Sequence, residues 1–427
     1  MLRRIDAKDR EKLKKYLLAR RKGIGLDILT QAQAIIDRVI MNQDAALLAY
    51  TEQFDGVHLE SLRVSDAEIK AAEKLCKPAF RKALQNAAKN ILSFHEAQKQ
   101  NNYILQREDG IYLGQRVLPL ESVGVYVPGG RAQYPSSVLM NVIPAKVAGV
   151  SRIVMVTPPQ KDGSLSPNIL YAAKLAGVDE IYKVGGAQAI AALAYGTETI
   201  KRVDKIVGPG NIYVAAAKKL VYGTVDIDMI AGPSEILVVA DSSADPVYVA
   251  ADLLSQAEHD PMASAILLTD CAELADQTDA CIREQMMKLP KKEIVEDSLA
   301  DYSACIVFDS IKECIDCANE IAPEHLELAV EDPMRYLSSV RNAGSVFLGK
   351  YTCETIGDYY GGTNHVLPTS GTARFSSALG VDAFIRKSSF LHYTEEALRK
   401  AADDIITLAE EEDLEGHANA VKVRVKA

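Results

Sequence analysis

The stretch IAPEHLELAV, residues 321–330, sets a carboxylate and an imidazole side by side in an otherwise apolar run. Glu324 and His325 follow Pro323 and precede alternating leucines of the kind that begin a buried strand. Because desolvating a charged group costs free energy, such a pair is rarely placed there without a partner or a function. Both side chains can transfer protons in enzymes. The pair is therefore a candidate site whose role depends on what else the chain supplies.

A second candidate is the segment LLSQAEHDP, where Gln256 and His259 stand three positions apart near the end of a predicted helix. Residues at i and i+3 share a helix face, so both could ligate one metal ion. An amide oxygen is an unusual zinc ligand, however, and the helix dipole alone favours a histidine near a helix C-terminus. Of the two interpretations, which both stay open, the second is favoured by these residues alone.

Two later segments carry further acids and histidines. ETIGDYYGGTNHVLPTSG is long, aromatic and rich in glycine, and it contains Asp358 and His365. Loops of this length in compact domains are often functional. EEEDLEGHANAV contains Glu412 and His417, although most of its carboxylates are expected to lie on a solvated helix end.

The composition narrows the class of protein. The 427 residues have a net charge of −10 and are 48% hydrophobic, which is typical of a globular protein and argues against nucleic-acid or anionic-membrane partners. No apolar run is long enough for a membrane span, and the N-terminus lacks the apolar core of a signal peptide. The seven scattered cysteines predict a reducing, cytoplasmic location.

Cys314 and Cys317 form a CxxC within a predicted helix, so packing is favoured over a redox or metal role.

The pattern of elements changes along the chain. Helices are predicted at first, with a capping box at Ser65 and Glu68, and Asp109-Gly110 predicts a hairpin. Strands alternating with helices follow and indicate parallel βαβ units. We therefore predict an α/β fold with these parts: a helical N-terminal extension (1–22), a larger α/β domain (23–124 and 233–379), a nested α/β domain (125–232), and a helical C-terminal segment (380–427) whose last residues, AVKVRVKA, could form a short strand.

Three predicted strand ends in the nested domain are rich in glycine: YVPGG, VGGAQA and VGPGN. In doubly wound sheets ligands bind at the carboxyl ends of the strands, where glycine lets a backbone approach a pyrophosphate closely. None of the three matches the GxGxxG fingerprint. A nucleotide site and ordinary turn chemistry therefore remain equal alternatives.

Taken in order, these segments resemble the histidinol dehydrogenase family. The motifs that carry the resemblance are GPSEILVVAD, SQAEHDP, APEHLEL, IGDYYGGTNHVLPTSGTAR and EGHANAV, with YVPGGRAQYPSSVLMNVIPAKVAGV, VGGAQAIAALAYGTE and DKIVGPGNIYVAAAK similar to the family's nested domain. The first 22 residues match poorly and receive no site. The resemblance implies two doubly wound Rossmann-like domains, one nested in the other. It also implies oxidation of L-histidinol through L-histidinal to L-histidine, the last step of histidine biosynthesis, with two NAD and one zinc ion per site in a homodimer.

Carried over by motif, the resemblance gives each candidate residue a role. The implied zinc ligands are Gln256, His259, Asp358 and His417. The implied substrate contacts are those four residues with Ser234, His325, Glu412 and His365. The implied NAD contacts are Tyr126, Gln188 and Asn211. Because His417 and Glu412 follow the α/β core, active sites shared between the two subunits are expected.

Glu324 and His325 resemble the family's acid–base pair. His325 is expected to be the base in both oxidations, because an alcohol loses hydride only as its O–H proton is removed. Glu324 is expected to activate water for hydration of the aldehyde, and burial should raise its pKa. Gln256 suits a zinc ion that orients the substrate more than it acts as a strong Lewis acid. Cys353 stands where the family usually has proline, and it could either loosen the loop that carries Asp358 or place a thiol near the metal.

Two other classes of protein remain as alternatives. A zinc-dependent hydrolase of a small nitrogenous substrate would use the same histidines and acids, but would have no need for a nested domain with three glycine-rich strand ends. A non-catalytic binding protein of the same fold would have lost Glu324 or His325, and both are present.

Overall fold

The computed structural model describes residues 2–19, 23–129 and 133–426 and separates the chain into two compact units. The first unit comprises Met1–Gln98 and Leu120–Phe384, and the second comprises Lys99–Pro119 and Ile385–Ala427. No helix in the described part of the chain combines the length and the apolar composition needed to cross a membrane.

The described residues form strands and helices that alternate along most of the chain. In chain order, the strands are β1 (Arg3–Asp6), β2 (Tyr103–Gln106), β3 (Tyr112–Pro119), β4 (Ser122–Tyr126), β5 (Arg152–Thr157), β6 (Glu180–Lys183), β7 (Lys205–Val207), β8 (Asp226–Ile227), β9 (Glu235–Ala240), β10 (Ser264–Thr269), β11 (Ala304–Val307), β12 (His325–Ala329), β13 (Ser345–Leu348) and β14 (Ile385–His392). The α-helices are α1 (Arg10–Ala19), α2 (Leu26–Asp55), α3 (Asp66–Leu75), α4 (Pro78–Glu96), α5 (Pro135–Ala148), α6 (Pro167–Ala176), α7 (Gly186–Tyr195), α8 (Ile212–Val221), α9 (Pro246–Ala257), α10 (Ala272–Met286), α11 (Lys292–Asp301), α12 (Ile311–Ile321), α13 (Pro333–Leu337), α14 (Glu354–Tyr359), α15 (Glu395–Glu411) and α16 (Glu415–Val425). Short 3-10 helices cover Glu108–Gly110, Thr372–Arg374 and Val381–Phe384.

One parallel sheet of the first unit has the strand order β1-β11-β10-β9-β12-β13. A parallel sheet is normally covered on both faces. In this sheet α9, α10 and α11 contribute to the core on one face, and α1 and α12 contribute to the core on the other. The leucines that follow His325 are buried in β12, as the apolar pattern predicts.

The N-terminal segment adds a strand that its sequence does not predict. Residues 1–22 are expected to be helical, and α1 is a helix, but Arg3–Asp6 pair in parallel with β11 at the sheet edge. Leu2, which immediately precedes the strand, and Ile5 within it enter the cores on opposite faces, as expected for extended residues an odd number of positions apart. A strand of four residues has little periodic signal of its own and depends on pairing with residues far along the chain.

The other parallel sheet of the first unit has the order β6-β5-β4-β7-β8. Residues of α5 and α6 form the core on one face, and residues of α7 and α8 form the core on the other. This is a doubly wound arrangement in which the strand order reverses next to β4. The glycine-rich segments found in the sequence follow β4, β6 and β7, at their carboxyl ends.

Helices α2, α3 and α4 cover this second parallel sheet. Helices α3 and α4 pack on α5 and α6, while α2 packs on α7 and α8. This differs from the predicted grouping of 23–124 with the larger domain, because apolar residues of α2 such as Ile36 and Leu47 complete the core over α7 and α8. The capping box at the start of α3 is confirmed: Ser65 accepts the N–H of Glu68, and the Glu68 carboxylate accepts the N–H of Ser65.

The second unit contains the antiparallel sheet β14-β3-β2 and the helix pair α15–α16. The predicted hairpin is confirmed, with positive φ at Asp109 (59°) and Gly110 (72°) between β2 and β3. The short terminal strand is wrong, since these residues continue α16 to Val425. Lys422 pairs there with Glu410 of α15. A helix satisfies its backbone hydrogen bonds internally, whereas a terminal strand would need a sheet edge.

Candidate metal and catalytic site

His325 is the first residue of β12 and lies between β9 and β13. Ala322 ends α12 in the left-handed conformation (φ 54°), and the chain turns through Pro323 into the strand. The imidazole is buried, and its Nδ1 lies 3.0 Å from the carbonyl oxygen of Glu235. Since a carbonyl can only accept, Nδ1 carries the proton. The buried Nε2 has no hydrogen-bond partner in the described chain, so it is the atom available to a ligand.

Glu324 is attached to the neighbouring strand by its own side chain. Its Oε2 accepts a hydrogen bond from the N–H of Glu235 at 2.8 Å and lies 3.7 Å from Nδ1 of His325. Burial raises the pKa of Glu324 to about 8, against the opposing charge of His325. Burial lowers the pKa of His325, but Glu324 and Asp358 outweigh it and raise that pKa to about 10. Both side chains therefore hold a proton at neutral pH in the metal-free chain, and either would act as a base only after losing it.

Asp358 approaches two imidazoles from α14. Its Oδ1 lies 3.7 Å from Nε2 of His325 and 3.9 Å from Nδ1 of His365. Burial raises the pKa of Asp358, but His325 and His365 outweigh burial and lower the pKa below its ordinary value. His365 is held in place by the carbonyl oxygen of Asp358, 2.9 Å from Nδ1, and by Oγ of Ser137, 3.2 Å from Nε2. The structure thus places three of the candidate side chains in one cluster.

Glu354 belongs to the same cluster and is not among the residues predicted from the sequence. It begins α14, four residues before Asp358, and ligand atoms of Glu354, Asp358 and His325 all lie within 4.8 Å of one another. Burial raises the pKa of Glu354. The sequence did carry a signal for Glu354. It stands four residues before Asp358 in ETIGD, and residues at i and i+4 share a helix face.

Gln256 lies in the last turn of α9, which ends at Ala257, and His259 follows two residues after the helix. Ser255 joins this end to α14, because its carbonyl oxygen lies 2.9 Å from Nδ1 of His259 and its hydroxyl donates to Glu354 at 2.7 Å. With Nδ1 engaged, Nε2 of His259 is left as the ligand atom. Gln256 is 1% exposed, and its Oε1 has no hydrogen-bond partner within the described residues. A buried carbonyl oxygen without a donor costs free energy unless a ligand meets it.

These donors fit a divalent metal ion. Imidazole nitrogen and carboxylate oxygen are ordinary zinc ligands, and the orphaned Oε1 of Gln256 offers a further oxygen. The charge of His259 acts on both Asp358 and Glu354, so the end of α9 and helix α14 contribute to one electrostatic site. A cavity of about 390 Å³, lined in part by His259 and Tyr359, opens at this place.

The remaining residues with an implied substrate role lie in two places. Ser234 is half-buried just before β9, and its carbonyl oxygen accepts the N–H of Ser264 at 3.0 Å. Glu412 follows α15 and His417 lies on α16, so both belong to the second unit and both are exposed. The cluster around His325 is built entirely from the first unit.

The residues with an implied NAD role lie at the carboxyl edge of the second parallel sheet. Tyr126 ends β4, and its hydroxyl accepts the N–H of Gly186 at 3.1 Å. Gln188 is buried in the first turn of α7, and its Oε1 lacks a partner among the described residues. Asn211 caps α8 through its Oδ1, which accepts the N–H groups of Tyr213 and Val214. The orphaned oxygen of Gln188 is the observation that fits a bound ligand at this edge.

Several glycines of these strand ends have a packing role. A Cβ on Gly129 would lie 2.7 Å from Cγ of Pro158, and one on Gly185 would lie 2.6 Å from Cβ of the same proline. A Cβ on Gly208, where φ is +109°, would lie 2.1 Å from the carbonyl oxygen of Tyr126. These glycines are therefore required by contacts within the protein, as the turn-chemistry alternative predicts, whether or not a nucleotide binds.

The cysteines show no sign of a reactive thiol pair. Cys314 and Cys317 are buried on α12, and burial raises both pKa values, that of Cys317 to about 12. Such thiols are poor nucleophiles, so the packing interpretation of the CxxC is favoured. Cys353 precedes α14, with its Sγ 3.1 Å from Oγ1 of Thr355.

Comparison with known proteins agrees over nearly the whole chain. The model of a family described as histidinol dehydrogenase matches residues 19–425. A histidinol dehydrogenase of Clostridium acetobutylicum is 55% identical over 418 residues, which are 98% of this chain and 97% of that relative. One from Bacillus anthracis is 57% identical over 390 residues, 91% of each chain. The crystal structure of histidinol dehydrogenase from Elizabethkingia anophelis is similar with a TM-score of 0.94 and 42% identity, covering 100% of this chain and 98% of that one. The chain therefore belongs to the histidinol dehydrogenase family.

Proposed function

We propose that this enzyme oxidises L-histidinol through L-histidinal to L-histidine, reducing two NAD and using one zinc ion per site. The observation that carries the proposal is the buried Nε2 of His325, which has no hydrogen-bond partner among the described residues and lies 3.7 Å from Oδ1 of Asp358, at the edge of a metal-compatible cluster. Bound NAD would accept a hydride in each oxidation. Bound zinc would hold the amine and imidazole nitrogens of the substrate in one orientation.

The proposed zinc ligands are Gln256, His259 and Asp358, together with His417. Gln256 is supported by its buried Oε1, which has no partner among the described residues, and His259 by the contact of its Nδ1 with Ser255. Asp358 is supported by a pKa that the neighbouring histidines lower. Glu354 lies near enough to be an alternative oxygen ligand. Ser234, His365 and Glu412 are proposed to contact the substrate.

The proton steps are assigned to the pair on β12. His325 accepts the hydroxyl proton of the alcohol at Nε2 while hydride leaves the carbon, and it does the same for the hydrated aldehyde. Glu324 accepts a proton from the water that adds to the aldehyde, because its raised pKa makes it a stronger base than an exposed carboxylate. A divalent cation held by Asp358 would oppose the positive charge of His325 and favour the neutral, proton-accepting imidazole.

The proposed NAD contacts are Tyr126, Gln188 and Asn211, at the carboxyl ends of β4, β6 and β7. In doubly wound folds, nucleotides bind at the carboxyl ends of the strands, at the point where the strand order reverses. The Oε1 of Gln188 supplies an acceptor that no described residue uses.

We also propose a homodimer whose active sites are shared, in the cytoplasm. The second unit carries the exposed His417, and all four residues of its edge strand β2 are exposed, including the large apolar Tyr103, Ile104 and Leu105. An exposed apolar edge strand is an aggregation hazard in a monomer, and a second copy would cover it.

The direct test is turnover of L-histidinol with NAD by protein of known zinc content. We expect two NADH and one L-histidine per L-histidinol, and one zinc ion per chain by metal analysis. Chelation should abolish turnover, and added zinc should restore it. A zinc-dependent hydrolase would produce no NADH. NADH formation by fully metal-free protein would contradict the zinc assignment.

A further inference from the structure

The second parallel sheet contains a buried ion pair that the proposed reaction does not use. It joins Lys218 of α8 to Asp228, which follows β8, and the two side chains are 2% and 1% exposed. Nζ of Lys218 contacts Oδ1 of Asp228 and also donates to the carbonyl oxygen of Gly208 at 3.0 Å. Oδ2 of Asp228 accepts the N–H of Gly208 at 2.7 Å, and Oδ1 accepts the N–H of Met229 at 2.6 Å. Both polar groups of Gly208 are therefore bound by the two members of one ion pair.

The stability of the fold does not by itself account for these two charges. Removing an ammonium and a carboxylate from water costs free energy, and their attraction often offsets only part of that cost. Apolar side chains of similar volume at both positions are often as stable as the ion pair, or more stable. The surroundings would accept them, because Val214 and Val221, one turn to either side of Lys218, are buried in an apolar core. An apolar pair would not, however, supply the hydrogen bonds to Gly208.

Gly208 occupies a position whose conformation has to be fixed by other groups. It follows β7 with a φ of +109°, and glycine by itself can adopt many other conformations. Its backbone also lies so close to the end of β4 that a Cβ would be 2.1 Å from the carbonyl oxygen of Tyr126. The hydrogen bonds to Lys218 and Asp228 therefore select one conformation of a flexible residue and hold the end of β7 against the end of β4.

The position of Gly208 affects the proposed NAD site. Tyr126 ends β4, and Asn211 stands three residues after Gly208, at the N-cap of α8. Asp228 lies at the start of the segment that leads from this sheet to β9. The ion pair thus joins three parts of the chain, namely the end of β7, helix α8 and this connecting segment. A shift of Gly208 would move Asn211 relative to Tyr126, and both are proposed to contact the same cofactor.

We propose that Lys218 and Asp228 are positioning residues that hold the end of β7 in the conformation that binds NAD, and that the stability of the fold does not require them. This inference rests on the proposed function, which requires NAD, and adds two residues that act on the cofactor without touching it. Both side chains are enclosed by the protein, so their effect passes through the backbone of Gly208. Without the pair, Gly208 would sample several conformations, and only part of the protein would be ready to bind NAD.

The test replaces the pair in two ways. Lys218→Met with Asp228→Leu removes the charges and the hydrogen bonds but keeps similar volumes. Lys218→Gln with Asp228→Asn keeps a donor for the carbonyl oxygen of Gly208 and an acceptor for its N–H. The control is Lys312→Met with Asp316→Leu, the same change at an exposed ion pair of α12. Calorimetric titration of the zinc-loaded proteins gives the Kd of NAD, and steady-state kinetics give KM and kcat.

For Lys218→Met with Asp228→Leu we expect the Kd and the KM of NAD to rise about 10-fold, as when about a tenth of the protein is in the binding conformation. The kcat at saturating NAD and the KM of L-histidinol should change by less than about twofold, which is the result of losing cofactor binding alone. Lys218→Gln with Asp228→Asn should bind NAD nearly as tightly as the wild type, and so should the control.

Thermal unfolding of the cofactor-free proteins separates positioning from stability. Lys218→Met with Asp228→Leu should unfold at the same temperature as the wild type or at a higher one. An unchanged Kd of NAD, or failure of this variant to fold, would overturn the proposal. Equal losses of NAD affinity in both double variants would also overturn it, because the hydrogen bonds to Gly208 would then not be the cause. If the wild type bound no NAD at all, the proposed function itself would fail, which is a different result from equal binding by wild type and variants.

Discussion

Glu324 and His325 occupy adjacent positions but make different contacts. Glu324 accepts the backbone N–H of Glu235, while Nε2 of His325 lies 3.7 Å from Oδ1 of Asp358. Proton removal from an alcohol needs only the imidazole, whereas hydration of an aldehyde needs a base for water. Substitutions of the two residues should therefore affect different steps of the reaction.

We expect Glu324→Gln to slow the oxidation of added L-histidinal by about 100-fold or more, which is typical of losing a general base. Oxidation of L-histidinol to the aldehyde should fall by much less, because His325 remains. Single-turnover NADH absorbance with each substrate measures the two steps separately, and His325→Gln serves as the comparison that slows both. Oxidation of L-histidinal at the wild-type rate by Glu324→Gln would show that another group activates the water.

His95 is a second histidine whose protonation state depends on burial. It is fully buried on α4, its Nδ1 lies 2.8 Å from the carbonyl oxygen of Ile91, and its Nε2 lies 3.3 Å from Nδ2 of Asn364. Burial lowers its pKa. An additional proton on Nε2 would also face the amide hydrogens of Asn364, so the folded protein favours the neutral ring.

The sign of the stability effect follows from that lowered pKa. Above about pH 6.5 the ring is neutral in both folded and unfolded chains, and its full contribution to stability is present. As pH falls below that value the unfolded chain binds the proton first, and stability is lost until the folded pKa is reached. We therefore expect the free energy of unfolding to fall less for His95→Phe than for the wild type when the pH is lowered from about 7.5 to about 5.5. Denaturant unfolding at each pH measures this free energy. Parallel losses in both proteins would assign the pH dependence to other groups.

At the scale of elements, a hydrogen bond from a backbone N–H of α14 to a side-chain carboxylate of β12 ties the helix to the catalytic strand. Glu327 of β12, two residues after His325, accepts the N–H of Glu354 at 2.7 Å. Burial and the nearby Asp252 raise the pKa of Glu327 well above its ordinary value. This contact fixes the start of the helix that carries Asp358, so it controls the position of a proposed metal ligand without touching the metal.

We expect Glu327→Ala to weaken zinc binding by about 10- to 100-fold, the usual effect of removing a group that orients a ligand. Glu327→Gln keeps a carbonyl oxygen for the N–H of Glu354 and can donate to Asp252, so it should retain most of the affinity. Competition with a chromophoric chelator gives the zinc Kd, and thermal unfolding of the metal-free proteins reports any general destabilisation. Equal zinc affinity in wild type and Glu327→Ala would mean that α14 is positioned by other contacts.

At the scale of the whole molecule, the proposed ligands come from two separate units. His259 lies in the first unit. His417 lies in the second unit, on an exposed helix that follows all the parallel strands in the chain. Exchange of a terminal segment between copies is a low-cost route to a symmetric dimer. The proposal of shared sites is therefore a statement about assembly that inactive variants can test.

Mixing His259→Ala with His417→Ala subunits after dissociation should restore activity. If His417 serves the partner's site, each hybrid dimer has one intact site, and random reassortment returns about a quarter of wild-type activity. If it serves its own subunit, every site keeps one defect and the mixture stays inactive. Each variant treated alone is the control for refolding, and the two homodimers should show no recovery.

The sequence by itself determined the features whose signals are local. A few adjacent residues determine each of three features: the capping box at Ser65, the hairpin at Asp109-Gly110 and the buried strand after His325. Capping, turn geometry and the alternation of apolar residues all act over short distances along the chain. The candidate acids and histidines were likewise visible as residue types in unusual surroundings. The family resemblance then gave them expected roles that spacing alone left open.

Only the tertiary structure decided which distant groups meet. The contact of Glu354 with the His325 cluster depends on elements far apart in the chain. So do the buried oxygens of Gln256 and Gln188 that lack partners among the described residues. Strand β1 and the packing of α2–α4 on the second parallel sheet depend on distant partners in the same way. Burial, hydrogen-bond satisfaction and the resulting pKa shifts are properties of the assembled surroundings, so no short window of sequence contains them.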